Sequence, residues 1–481
     1  MLKRVGVVLL VISLGVAPRA AAQSIVQETQ GSCSPAVAGF GGIAQITCPG
    51  VDSRALARLN ELLIQKGPEL PQKIEEANEW AEKYRDLSAG LAATADDRQV
   101  AQQARDLILR GEFEKAGLLV DQLLAKPESQ LDRLATNHFN RAQLFDLQFQ
   151  TDLALPHYEK AYRSRPNTSQ YAFAYGMALY SQHEYSKALD VAQSLYSLAI
   201  LHSTTRRLPA AERAYKEALA LYRALATQNP DPLRSVLAGI LNNLGILYSA
   251  SLHSAKAEIP YQEALAIRRA LAAQNPDAFR PDVAQTLNTL GILYSATRRP
   301  TKAVGAYQEA LAIRRALAAQ NPDAFRPDVA QTLNNLGILY RETEHPAEAE
   351  AALQEALAIR RALAAQNPDA FRPDVAASLH NLGYLYYDTQ RWPDAERAYQ
   401  EALTIRRALA VQNPDAFRPK VASTLRNLTL LYKAMGSRGN ARLSAQEALM
   451  LYRDQAGGNP DLYRYEVREL SEFLEQLSRS Q

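Results

Sequence analysis

Cysteine is almost missing from this chain, with only Cys33 and Cys48 among 481 residues. Two sulfurs with no histidine nearby fall short of the ligand set of a structural zinc site. Histidine is scarce as well. The seven that occur, His138, His157, His183, His202, His253, His345 and His380, form no HExxH pair, and the chain has neither a GxSxG elbow nor a phosphate-binding glycine loop. Each reads as a packed or solvated helix residue, so no catalysis, no cofactor and no metal are expected. A membrane-spanning run is lacking too, since the apolar stretch from Val5 to Val16 is too short to cross a bilayer. Charge of one sign is not in excess: 54 basic residues face 51 acidic ones, and removal of Lys3, Arg4 and Arg19 with a leader would leave 51 of each. That balance argues against a broad electrostatic footprint for nucleic acid or anionic membrane.

What is present begins with an export signal. Residues 1–22 combine Lys3 and Arg4, the apolar run and Ala20-Ala21-Ala22 before Gln23, which predicts cleavage and a periplasmic or secreted product with no membrane span. In an exported chain the even cysteine pair reads as a disulfide, Cys33 to Cys48, closing a small segment over 23–52 with a short strand from Ile43 to Thr47. Residues 53–95 turn charged and helical. Leu56, Leu59 and Leu63 form one stripe; Ile74, Ala77, Ala81, Tyr84 and Leu91 form another at near-heptad spacing. Two readings stand: an amphipathic pair folded onto the first repeat, or, over 53–92, a coiled-coil stalk that makes an oligomeric assembly module.

Residues 96–203 carry divergent helical hairpins, and 204–458 carry long ones. Asn-Pro returns at Asn229, Asn275, Asn321, Asn367, Asn413 and Asn459, each 46 residues after the last. Between them Val283, Leu287, Leu290, Ile292 and Tyr294 mark a first helix, A, and Ala303, Tyr307, Ala310, Leu311 and Ile313 a second, B. Gly245, Gly291, Gly337 and Gly383 recur at one phase of helix A. Glycine costs a helix roughly 1 kcal/mol against alanine, so its return predicts close packing against helix B. In the NPDAFRP segment, Pro276 and Pro281 are expected to form a loop that stops helix B and presets helix A, with Phe279 and its equivalents plugging the gap between hairpins. The phase breaks near 184–202, where the start of a helix B runs into the sequence of a helix A, which predicts one fused helix. A capping helix is expected over 459–481.

The Leu-Gly pair, the Tyr that closes helix A and the spaced Ala, Tyr and Ala of helix B resemble the tetratricopeptide repeat. The reading LNNLGILY at Leu241–Tyr248 and Leu333–Tyr340 is similar to the long kinesin-light-chain type. The resemblance implies an all-α fold, a right-handed α-solenoid of helical hairpins whose A helices line a concave groove, holding a protein or peptide partner. Two amide-rich rows of helix A are the candidate peptide-binding residues. One is Asn242, Asn288, Asn334, His380 and Arg426; the other is Asn243, Thr289, Asn335, Asn381 and Asn427. Asparagine carries both donor and acceptor, so such a ladder could pair with an extended main chain, or could instead tie neighbouring helices together. The stripe Arg268-Arg269, Arg314-Arg315, Arg360-Arg361 and Arg406-Arg407 could meet phosphate, but recurring acids nearby favour pairing within and between repeats, and no nucleic-acid partner is expected.

Overall fold

The computed structural model describes residues 33–36, 45–66, 70–92, 98–124, 131–251, 254–457, 461 and 463–479. The predicted leader lies outside them, as do Ile43 and Leu462. The described residues fall into two compact units divided between Val191 and Ala192.

In the first unit, β1 (Ser34–Ala36) pairs antiparallel with β2 (Gln45–Thr47), and the Cys33–Cys48 disulfide closes the hairpin. Two strands this short are not stable alone. Asn60 supplies what they lack: its Oδ1 accepts from Ile46 N at 2.7 Å and its Nδ2 donates to Ile46 O at 2.9 Å. Asn60 belongs to α1 (Ser53–Lys66), followed by α2 (Leu70–Ala92), α3 (Arg98–Leu109), α4 (Phe113–Leu124), α5 (Leu131–Leu147), α6 (Thr151–Ser164) and α7 (Ser169–Ser181).

The stripes of α1 and α2 are buried in this unit's own core. Leu59, Leu63, Ala77, Ala81 and Tyr84 join Ile108, Phe113, Val120 and Leu144. Trp80, which the stripe pattern passed over, is the keystone; it stacks on Tyr84 at 5.3 Å and donates from Nε1 to Leu147 O at 3.0 Å. The face that a self-associating stalk would use is, at these residues, covered by the unit's own hairpins. The side chains of Ile74 and Leu91 lie outside what is described.

One helix, α8 (Tyr185–Thr204), continues without a break through Asp190. After it come α9 (Leu208–Ala226), α10 (Pro230–Ala250), α11 (Ser254–Gln274), α12 (Pro276–Ala296), α13 (Pro300–Gln320), α14 (Pro322–Glu342), α15 (Pro346–Gln366), α16 (Pro368–Asp388), α17 (Trp392–Gln412), α18 (Pro414–Ala434), α19 (Arg438–Ala456) and α20 (Arg464–Arg479). The A helices are α10, α12, α14, α16 and α18.

The 46-residue period resolves into two helices of 21 residues, a three-residue turn and a single-residue joint. The expected NPDAFRP loop is therefore corrected: it is the opening of helix A. A residue before proline is driven out of the α region, so helix B ends at Gln274, Asn275 is the joint, and Pro276 begins the next helix at its favoured first position. The amide N–H of Asn275 still closes helix B on Leu271 O at 2.9 Å, while its Oδ1 accepts from Ala278 N at 3.3 Å to cap helix A. At the other turn Arg298 takes φ +55°, and Arg299 N reaches back to Tyr294 O at 2.8 Å. This is the left-handed helix stop that glycine usually supplies. Phe279, Phe325, Phe371 and Phe417 are half-buried.

Packing explains the recurring glycine. A Cβ on Gly291 would stand 2.5–2.8 Å from ring carbons of Tyr307, and one on Gly383 would meet Tyr399 about as closely. In the last hairpin Thr429 occupies the glycine position and Ala445 the tyrosine position, and both are buried. The added threonine side chain fills part of the space that the missing tyrosine ring leaves.

Candidate functional site: the inner wall of the A helices

Successive A helices touch, α12 with α14, α14 with α16 and α16 with α18, whereas successive B helices approach each other less. On the B side an open cleft of about 430 Å³ separates α15 from α17 over the side chains of α16, among them Leu379 and Leu382. A stack that is tight along one edge and open along the other curves, with the A helices inside.

The amide ladder runs along this edge, and its first business is to join the hairpins. Asn335 Nδ2 donates to Asn288 Oδ1 at 3.3 Å, Asn381 Nδ2 to Asn334 Oδ1 at 2.9 Å, and Asn427 meets His380 Nε2 at 3.2 Å. Asn243 Nδ2 reaches Tyr196 Oη at 2.9 Å, and Arg426 Nε reaches Glu469 Oε2 of α20 at 2.6 Å. Asn288 is 1 % exposed, Asn334 9 % and Asn427 8 %. The expectation that these three face a partner is corrected: they lie beneath a neighbouring helix A, the following one for Asn288 and Asn334 and the preceding one for Asn427, and so tie the helices together, the second of the two uses the sequence offered. Asn242, Asn243, Thr289, Asn335, His380, Asn381 and Arg426 are half-buried. Thr289 is too short for the clasp and bonds its own helix at Gln285 O, 3.0 Å away. Asn242 Oδ1, which an asparagine at 289 would reach, has no protein partner.

The arginine pairs divide their labour. The first of each pair is sunk between hairpins: Arg314 Nη1 donates to Asp328 O at 3.1 Å and Thr332 Oγ1 at 2.6 Å, and its Nη2 to Gln285 Oε1 at 2.7 Å. Arg360 and Arg406 repeat this staple. Burial lowers all these guanidinium pKa values, Arg406 to about 10, which leaves them charged at neutral pH. The second arginine lies on the surface and bridges to the glutamate one hairpin on: Arg269–Glu309 and Arg361–Glu401 at 2.6 Å, Arg315–Glu355 at 2.7 Å and Arg407–Glu447 at 2.6 Å. Exposed pairs of this kind contribute about 1 kcal/mol or less each. With one arginine buried and the other paired, no open basic stripe remains over these residues.

His380 is the odd member of its row. Burial first, then the charge of Arg406, pushes its pKa down to about 3, so the ring is neutral. Arg406 can only donate, so Nδ1, 3.0 Å away, accepts and Nε2 carries the proton. Asn427 must then present its amide oxygen to Nε2.

Sequence periodicity missed what stands one turn further on. Ile246 (49 % exposed), Ile292 (48 %), Ile338, Tyr384 (40 %) and Leu430 form an apolar row at the 46-residue period along the inner wall. Ile292 was placed in the core by its helical spacing; it faces outward. The available signal was its position beside the amides rather than opposite them.

Stacked hairpins with a clasped inner edge define an α-solenoid scaffold. Models of the family described as "Tetratricopeptide repeat" match residues 139–200, 191–229, 283–323, 314–362 and 375–415. These stretches carry tetratricopeptide repeats, and such repeats support a protein-interaction scaffold in general. Among solved structures, BtubC (BKLC) from P. vanneervenii is similar at 26 % identity over 52 % of this chain and 92 % of that one, with a TM-score of 0.43. RapI in its apo form is similar at 15 % identity over 60 % and 99 %, with a TM-score of 0.41. PilW, a type IV pilus biogenesis factor, is similar at 18 % identity over 58 % and 98 %, with a TM-score of 0.38. No curated protein sequence matches the chain. Among the described residues no helix is long and apolar enough to cross a membrane.

Proposed function

We propose that this protein is a non-enzymatic scaffold that holds an extended peptide, or an extended segment of a protein, along the inner wall of its A helices. The observation that carries this is the row of exposed Ile246, Ile292 and Tyr384 with half-buried Ile338, beside the half-buried amides and hydroxyl of Asn243, Thr289, Asn335 and Asn381. Apolar side chains repeated on one face and left open to solvent are what a partner would bury, and the amides beside them offer hydrogen bonds to a main chain. The leader expected at 1–22 and the Cys33–Cys48 disulfide support work outside the cytoplasm, in the periplasm or beyond.

The test is selection from a library of short random peptides on the mature protein and on an Ile292→Asp/Ile338→Asp variant with unchanged circular dichroism. Sequences enriched on the first and lost on the second support the reading. The same sequences on both, or none on either, overturn it.

A further inference from the structure

Internal repetition makes departures visible. At the last residue of helix A the equivalent positions are Ala250, Ala296, Glu342, Asp388 and Ala434: three alanines and two acids in adjacent hairpins. A carboxylate at a helix C-terminus meets the negative end of the macrodipole, so both acids stand where the fold disfavours them and where alanine serves elsewhere. Both are exposed. The nearby cation is Arg341, at 3.6 Å from Glu342 and 3.8 Å from Asp388. Its side chain is only 18 % exposed, and its guanidinium lies over the Tyr384 ring, 4.1 Å from the centroid. One guanidinium spread over an aromatic face and two carboxylates leaves a net negative charge beside the apolar row.

On the reading that the inner wall holds an extended peptide, we propose that its occupant is a basic one: a lysine or arginine set against Glu342 and Asp388, next to apolar residues that sit on Ile246, Ile292 and Ile338. Spacing adds to charge. Helices in contact pack about 8–10 Å apart, and a polyproline II backbone advances about 9 Å in three residues while returning to the same face. A strand at three residues would turn the side chain to the opposite face. The occupant is therefore a polyproline II-like segment with an apolar side chain at every third position and its basic residue placed over α14 and α16.

The experiment compares peptides selected from the same random library on the mature protein, on Glu342→Ala/Asp388→Ala, and on Glu342→Lys/Asp388→Lys. Alanine is what the other hairpins carry at these positions, so the first variant keeps the fold. Expected are lysine or arginine enrichment with apolar residues in triplet spacing on the mature protein, loss of the basic enrichment on the alanine variant, and acidic enrichment on the lysine variant. For a fluorescent copy of the best basic peptide, each carboxylate removed should weaken binding about fivefold. Apolar peptides without basic enrichment, or basic peptides bound equally by all three proteins, overturn this inference and leave the groove standing. Absence of any enrichment removes both.

Discussion

The two units solve the same problem, joining one hairpin to the next, by opposite means. In the repeat array the joints are copies of one plan, a buried arginine staple, an amide clasp that is missing only at Thr289, and a surface Arg–Glu bridge, renewed every 46 residues. In the first unit each joint is singular. Trp80 holds α2 to the end of α5, and Asp146 gathers Lys83 Nζ at 2.8 Å and Tyr158 Oη at 2.7 Å. A repeated joint can vary in one copy without loss of the stack, because stability in such arrays is close to a sum of neighbour terms. A singular joint has no second copy to lean on.

That contrast is broken most directly at Trp80. Trp80→Ala should cost about 3–5 kcal/mol and abolish hydrogen-exchange protection in α1–α5 while α12–α18 stay protected; equal loss in both units would show that the array is not independent of the first unit's core. Next in size is Gly291→Ala, expected to destabilise the array by about 1–3 kcal/mol through overpacking against Tyr307. In a Tyr307→Ala background the same change should cost nothing or gain about 1 kcal/mol from helix propensity, reproducing the Thr429 and Ala445 pairing. A double-mutant cycle by urea unfolding measures the coupling, and additive effects would refute the contact.

Thr289→Asn should do the reverse and add about 1 kcal/mol by completing the clasp on Asn242 Oδ1, read as a higher urea midpoint. The last effect is conditional on acidity. The folded His380 pKa is lowered to about 3 from an ordinary 6.5, so below about pH 6.5 the unfolded chain binds a proton that the folded one refuses. Stability is then complete above that pH and declines as pH falls toward 3. Exchange protection of α16–α18 should drop between pH 7.5 and 5 in the natural protein and stay level in His380→Asn, the residue its neighbour Asn334 carries; identical profiles would mean that His380 is not buried as a neutral ring.

Much of this fold was legible because packing leaves periodic marks. The return of Gly245, Gly291, Gly337 and Gly383 predicted a close approach to helix B that the Cβ distances bear out, and the shift of phase near 184–202 coincides with the continuous helix α8. The NPDAFRP segment misled because two prolines and an asparagine suggest a loop, yet Pro276 occupies the one helical position where its missing N–H costs nothing. Ile292 misled for a different reason: helical spacing alone cannot tell a side chain turned to the neighbouring helix from one turned to the groove.

By itself the order of residues determined the helices, their pairing into hairpins and the length of the period, since these follow from local propensity and from apolar spacing within one repeat. Only the tertiary structure decided which sides of each A helix are covered by the neighbouring hairpins. Those sides depend on the angle at which whole hairpins stack, which put Asn288, Asn334 and Asn427 inside the joints and left Ile246, Ile292 and Tyr384 on the wall.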